Sequence, residues 1–200
     1  MPHWAKQLAW LRAGSPRNPY PYAVLDCRAA CVALSGSIQK ETASAALASI
    51  ETIAAASQVG ALPADGLSSR CSIVVPAAQS TVDNLSTIGS GDRWLLTTVG
   101  SRILVRRRWT GQVIHAAEFS AECSGFVIEH VISDRQSSHD NTDYALAELD
   151  FVLSSCIART RLAFPIPPQF DRNDMARIAL YGWQTHGPLA QFGRLLHAKE

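Results

Sequence analysis

Residues 102–120 read RILVRRRWTGQVIHAAEFS and decide how the middle of the chain folds. Two short runs with many apolar residues flank the WTG tripeptide, which is typical of two β-strands joined by a tight turn. Three consecutive arginines, Arg106, Arg107 and Arg108, lie at the end of the first strand. Because successive side chains of a strand point to opposite faces, Arg107 must face away from Arg106 and Arg108.

Two turns fix the register of the predicted sheet. Gly100 and Ser101 fit a two-residue type II′ turn, and RWTGQ fits a three-residue loop with Gly111 in the left-handed conformation. The first turn predicts the pairs Trp94–Arg107, Leu96–Val105 and Thr98–Ile103. The second predicts the pairs Arg107–Val113, Val105–His115 and Arg102–Glu118.

This register gives the sheet a core face and a mixed face. The core face holds Trp94, Leu96, Ile103, Val105, Val113, Ala117 and Phe119. The other face holds Arg93, Leu95, Thr97, Arg102, Leu104, Arg106, Arg108, Gln112, Ile114 and Glu118. We therefore expect Arg106 and Arg108 to point outward and Arg107 to point inward, opposite Trp94 and diagonal to His115.

An inward-facing Arg107 needs a carboxylate, because a buried guanidinium without a partner costs more than stacking on Trp94 returns. Glu148 and Asp150 are the nearest candidates in sequence. A structural pair at the margin of the core is one interpretation. The other is that Trp94, Arg107 and His115 form the floor of a pocket for an anionic ligand.

The spacing of apolar residues changes along the chain, from the helical period of 3.6 residues to the strand period of 2. This change predicts an α+β fold in a single domain, 1–200. Residues 1–60 are expected to be helical, including a helix at 3–13, another in AVLDCRAACVALSG and an alanine-rich one from about Glu41. Residues 71–133 predict an antiparallel β-meander of about five strands. Residues 143–200 predict helices packed on the sheet, around the extended, proline-rich FPIPPQFD.

Other candidate chemistry is sparse. Cys27, next to Arg28, could be a reactive thiol, but Cys27 and Cys31 share a helical spacing that is also typical of buried cysteines. HDNTD (139–143) lacks the glycine and the terminal glutamate of a calcium loop, and His186 lies in a predicted turn. The chain has no nucleophile-elbow, phosphate-loop, dinucleotide or zinc motif, so we expect no metal and no cofactor and lean against an enzyme.

Composition narrows the classes of partner. The net charge of +1 does not favour nucleic acid, although a nucleic-acid-binding accessory domain remains a third hypothesis. No apolar run reaches the ~20 residues that a membrane span requires, and the N-terminus does not resemble a signal peptide. The five cysteines are scattered, which fits a reducing compartment. We therefore expect a cytoplasmic protein without a membrane partner.

Several segments resemble a loose group of uncharacterised bacterial proteins of similar length. They are PYPYAVLDCRA, RWTGQVIHAAEF, LDFVLSS and FPIPPQFDRNDMARIALYGW. The group shares an aromatic–Thr–Gly turn and a late proline-rich segment around a small sheet. The resemblance implies a bacterial source, and it implies no activity and no functional residues.

The leading functional hypothesis is a protein-interaction module, for example an immunity or accessory protein that modulates a partner. Its predicted contact residues are Arg102, Leu104, Arg106 and Arg108, because arginine mixed with exposed aliphatic residues is common at interfaces. The alternative is a protein or enzyme that binds a small anion at Trp94, Arg107 and His115.

Overall fold

The computed structural model describes residues 2–37, 62–63, 65–77, 93–122 and 124–196. The chain divides into two compact units, a first unit of Met1–Gln39 with Leu162–Glu200 and a second unit of Lys40–Arg161. Of the described residues, those in regular structure form two sheets, of four and five strands, and three α-helices. In chain order the elements are a 3₁₀ helix His3–Gln7, β1 Ala9–Leu11, β2 Val24–Asp26, α1 Arg28–Ser37, β3 Gly66–Pro76, β4 Trp94–Val99, β5 Arg102–Arg107, β6 Val113–Glu122, β7 Gly125–Asp134, α2 Thr142–Cys156, β8 Phe164–Ile166, α3 Met175–His186, a 3₁₀ helix Gly187–Leu189 and β9 Phe192–Leu195.

The first unit is a four-stranded sheet with the order β1-β2-β9-β8. β2 pairs antiparallel with β1 and β9, whereas β8 runs parallel to β9. β8 begins with Phe164 and Pro165, and prolines prevent a helix here, as the sequence predicts for the FPIPP segment. α3 begins where Asp174 accepts a hydrogen bond from the backbone N–H of Arg177 and ends at Gly187, which has a φ of 61°.

The prediction of a helical N-terminal third is wrong. The predicted helix at 3–13 is a short 3₁₀ helix that gives way to β1, and the predicted helix from residue 23 begins as β2. Both strands are three residues long, too short for a period of two to be recognised in sequence. Of the helix predicted from residue 23 only the later part is present, as α1. The predicted alanine-rich helix from Glu41 lies outside the described residues.

The second unit contains the predicted five-stranded antiparallel sheet. Its strand order is β3-β7-β6-β5-β4, so β4 to β7 form a meander and β3 pairs with β7 rather than with β4. The pairs predicted from the Gly100 turn are all present. Gly100 and Gly111 have φ values of 59° and 68°, the left-handed conformation that both turns require.

A β-bulge changes the register next to the second turn. Val105 pairs with His115 as predicted, but the next residue, Arg106, pairs with Val113, so β6 contains one extra residue, Ile114. The predicted pair Arg107–Val113 is therefore wrong. Val113 moves to the face of Arg106 and packs with Leu104 and Ala116 instead of with Trp94.

The bulge accompanies a second correction. Leu104 and Arg106 were expected on an outward face, yet their exposed fractions are 4% and 3%. Arg108 is half-buried, and the side chain of Arg102 is 42% exposed. The mixed face is thus buried at its Leu104 end and polar at its Arg102 end.

The ring of Phe164 is held between two glycines of the first unit. A Cβ atom added at Gly182 would lie 2.5 Å from Cζ of Phe164, and one added at Gly193 would lie 2.9 Å from the same atom. Phe164 is fully buried, so its ring has no free space to occupy. The packing of α3 on β8 and β9 thus depends on the absence of side chains at both positions.

We expect Gly182→Ala to lower the free energy of unfolding by about 1–3 kcal/mol through overpacking. Gly36→Ala is the matched control, since its added methyl group meets no atom within 4 Å and alanine favours a helix. Chemical denaturation of both variants would test this. Equal stabilities of the two variants would contradict it.

Candidate functional site

A buried polar cluster lies in the second unit, between the core face of the sheet and α2. It consists of Trp94, Arg107, His115, Ser133 and Glu148, which come from β4, β5, β6, β7 and α2. All except Arg107 have exposed fractions of 0–1%, and the Arg107 side chain is 17% exposed. The structure therefore brings Trp94, Arg107 and His115 together and adds Ser133 and Glu148.

Glu148 is the centre of this cluster. Its Oε1 lies 3.5 Å from Nη2 of Arg107, and its Oε2 lies 3.3 Å from Nε2 of His115. The hydroxyl of Tyr144, one helical turn earlier, donates a hydrogen bond of 3.2 Å to Oε1. Of the two carboxylates expected from the sequence, Glu148 is the partner of Arg107, whereas Asp150 accepts a hydrogen bond from Ser154.

The guanidinium of Arg107 also stacks on an indole. Its Cζ lies 3.8 Å from the centroid of the Trp94 ring, and the pair Trp94–Arg107 in the β-ladder holds the two side chains on one face. Such a contact contributes about 0.5–2 kcal/mol. Arg107 is thus held by a carboxylate and by an aromatic face, both of which are themselves buried.

Ser133, His115 and Glu148 have the residue types of a catalytic serine–histidine–carboxylate triad and lie next to one another. The Ser133 hydroxyl lies 2.8 Å from Nδ1 of His115, whose other nitrogen faces Glu148. In serine hydrolases the serine instead contacts Nε2 and the carboxylate contacts Nδ1. Ser133 is 1% exposed and His115 0%, so no substrate reaches them in this structure. The geometry supports a structural role.

His139 lies at the edge of the buried polar cluster. Its ring centroid is 5.2 Å from that of Tyr144. Burial lowers the pKa of His139; Glu148 opposes this shift and Arg107 adds to it. Asn141, in the same loop, caps α2 by accepting a hydrogen bond from the backbone N–H of Tyr144.

A second polar site lies in the first unit, around Asp26. Its Oδ1 accepts hydrogen bonds from the backbone N–H and Nε of Arg28, and its Oδ2 accepts from Nη2 of both Arg28 and Arg17, at 2.8–3.2 Å. The Asp26 side chain is 5% exposed, whereas those of Arg17 and Arg28 are 63% and 45% exposed. The carboxylate is therefore covered by the two guanidinium groups.

This site opens into a groove of about 620 Å³, which we call the arginine groove. Its lining comes from the 3₁₀ helix, the following linker, the end of β2 and one side of α1: His3, Trp4, Gln7, Arg17, Asp26, Arg28, Ala29, Val32 and Ala33. The sequence pattern points to Arg28 only as a neighbour of Cys27. The opposite charges of Asp26 and of Arg17 and Arg28 are visible in the sequence, but only the fold shows that the three side chains are in contact.

The cysteine candidates do not form a reactive centre. Cys27 and Cys31 are buried, and burial raises the pKa of both thiols, that of Cys31 to about 11. The Cys31 thiol donates to the carbonyl oxygen of Ala190. His186, the other candidate of this unit, is buried between Phe164 and Tyr181. These side chains contribute to the core.

Within the described ranges, no group of three or more histidine, cysteine or acidic side chains is arranged to hold a metal ion. None of the helices in the same ranges is long and apolar enough to cross a membrane.

Comparisons of the chain with protein-family models, curated proteins and solved structures returned no match. The resemblance to a group of bacterial proteins therefore stays a prediction.

We expect Glu148→Gln to lower the free energy of unfolding by about 3 kcal/mol, because Arg107 would lose its buried counter-ion. Asp150→Asn is the control on the same helix, and its effect should stay below about 1 kcal/mol. Urea denaturation measures both. Similar losses in the two variants would show that Glu148 is not the centre of the cluster.

The stabilising effect of Asp26 should depend on pH. Burial raises the pKa of Asp26, but the hydrogen bonds and the charge of Arg28, with a further hydrogen bond from Arg17, outweigh it and hold the pKa below the ordinary value of 3.8. The carboxylate therefore stabilises the fold fully above pH 3.8, and this contribution is lost as the pH falls through the lowered pKa.

We accordingly expect Asp26→Asn to be less stable than the unaltered protein by about 2 kcal/mol at neutral pH. The difference should vanish as the pH falls below 3.8. Denaturation curves recorded across this range measure it. A difference that does not change with pH would contradict the assignment of the ion pairs.

Proposed function

We propose that this protein is a protein-interaction module that binds an acidic, partly aliphatic segment of a partner protein in the arginine groove. The observation that carries the proposal is the position of Asp26 beneath Arg17 and Arg28, next to exposed apolar side chains. An immunity or accessory role is one form that such binding would take.

The charges of the groove favour an acidic segment. The four hydrogen bonds to Asp26 use both of its oxygens, so the carboxylate has little capacity left for a ligand. Nη1 of both arginines and Nε of Arg17 donate no hydrogen bond to any described residue. These N–H groups suit the side-chain carboxylate of an aspartate or glutamate.

The apolar part of the groove supports a peptide rather than a small ion. Val32 is 75% exposed on α1, and Trp4, Ala29 and Ala33 line the same groove. Removing an aliphatic side chain of a partner from water against these residues would contribute about 1.5–3 kcal/mol. A volume of about 620 Å³ accommodates several side chains.

The arginine groove replaces the contact surface expected from the sequence. Leu104 and Arg106 are buried, and Arg102 is paired with Glu118 through hydrogen bonds of 2.6 and 3.0 Å. At Trp94, Arg107 and His115, Glu148 already provides the anion, which leaves little positive charge for an external ligand.

Selection of displayed random peptides on the full chain would test this proposal. We expect enrichment of sequences with an aspartate or glutamate next to an aliphatic residue, and weaker binding as salt increases. Val32→Glu should abolish the enrichment, because the new carboxylate in the groove would repel the acidic side chain of the peptide. Val74→Glu is the matched control, since Val74 is 59% exposed on β3.

Enrichment that survives Val32→Glu, or that shows no preference for acidic residues, would contradict the proposal. The same holds if Val32→Glu and Val74→Glu weaken binding equally, provided that both variants keep the unfolding midpoint of the unaltered chain.

A further inference from the structure

A row of polar residues crosses the mixed face of the second unit. Arg70 pairs with His130, His130 with Glu118, and Glu118 with Arg102, so the four side chains come from four adjacent strands, β3, β7, β6 and β5. Each is exposed or half-buried. We call these four residues the surface polar row.

Ser68 extends this row into a second serine–histidine–carboxylate arrangement. Its Oγ lies 2.8 Å from Nε2 of His130, and Nδ1 of His130 lies 3.6 Å from Oε2 of Glu118. These are the nitrogens that a catalytic triad uses for its serine and its carboxylate. The longer second distance is common in hydrolases without substrate, where such contacts tighten on binding.

Access distinguishes this arrangement from Ser133, His115 and Glu148. Ser68 is exposed, and the His130 side chain is 31% exposed. A cavity of about 440 Å³ opens next to them and is lined by Arg70, Glu118, Glu129 and His130. A substrate can therefore approach the hydroxyl of Ser68 from solvent.

Arg102 keeps Glu118 charged and in place. It donates two hydrogen bonds to Oε1 of Glu118, and these, with its positive charge, lower the pKa of that carboxyl. Oε2 is left to face Nδ1 of His130 and favours the tautomer with the proton on that nitrogen. Nε2 is then the acceptor for the proton of Ser68.

Arg70 is placed to stabilise negative charge on the substrate. It lies two residues after Ser68, on the same face of β3, and its side chain makes no hydrogen bond to a described residue. A register shift directly follows it, and β7 carries an extra residue, Glu129, opposite β6. Bulges of this kind often re-aim side chains next to active sites.

We propose that Ser68, His130 and Glu118 are the catalytic residues of a hydrolase for carboxylic esters, an activity separate from partner binding. Oγ of Ser68 attacks the ester carbonyl carbon while Nε2 of His130 takes its proton. The carbonyl oxygen becomes an oxyanion that faces Arg70. Collapse breaks the ester C–O bond, and His130 protonates the leaving alcohol. Water, activated by His130, then hydrolyses the acyl-Ser68 ester and releases the carboxylic acid.

Two measurements on the full chain test this proposal. A fluorophosphonate probe should modify Ser68, located by mass spectrometry of the digested protein, and p-nitrophenyl acetate and butyrate should be hydrolysed. We expect Ser68→Ala and His130→Gln to lower kcat/KM at least about 100-fold. Arg70→Met should lower kcat more than it raises KM, because the oxyanion exists only after attack.

Ser72→Ala is the matched control, since Ser72 is an exposed serine on the same strand, and it should keep full activity. Probe adducts outside Ser68, no hydrolysis by the unaltered chain, or equal rates for Ser68→Ala and Ser72→Ala would overturn the assignment.

Discussion

The fully buried carboxylate of Glu148 is the interaction on which the second unit depends. A buried charge is tolerated only where opposite charge and hydrogen bonds compensate it, and here Arg107 supplies the charge and Tyr144 a hydrogen bond, while Nε2 of His115 lies 3.3 Å from the second oxygen. The carboxylate therefore fixes how α2 lies on the sheet, since a rotation of the helix would separate it from its partners. It also explains why an arginine can point toward the core in a strand of otherwise apolar residues.

Each of the two units contains a buried carboxylate paired with arginine, but the exposure of the arginines differs. In the second unit the charges are buried together, and their contacts serve the fold. In the first unit Asp26 is buried but the arginines above it remain half exposed, so part of their hydrogen-bonding capacity faces solvent. The first arrangement stabilises structure, and the second supports the proposal of a binding groove.

The two serine–histidine–glutamate arrangements make the same distinction on one sheet. They occupy opposite faces, and they use opposite nitrogens of their histidines. The arrangement around His115 has no solvent access. The arrangement around His130 lies beside a cavity and beside Arg70, whose guanidinium makes no hydrogen bond to a described residue. Residue types alone would rank them equally, so exposure and geometry carry the difference between a structural network and a proposed active site.

The local features of this protein follow from its sequence alone. The Gly100 and Gly111 turns and the alternation of side chains were enough to predict the meander, the pair of Trp94 with Arg107, and the need of Arg107 for a carboxylate. These follow from backbone sterics and short-range pairing, which act over a few residues. Other features depend on tertiary contacts. Glu148 rather than Asp150 is that carboxylate, and a bulge at Ile114 moves Val113 to the other face. Leu104 and Arg106 are buried, and the N-terminal third contributes strands to a second sheet. Those outcomes depend on contacts between residues far apart in the chain, and Asp26 with Arg17 and Ser68 with His130 became neighbours for the same reason.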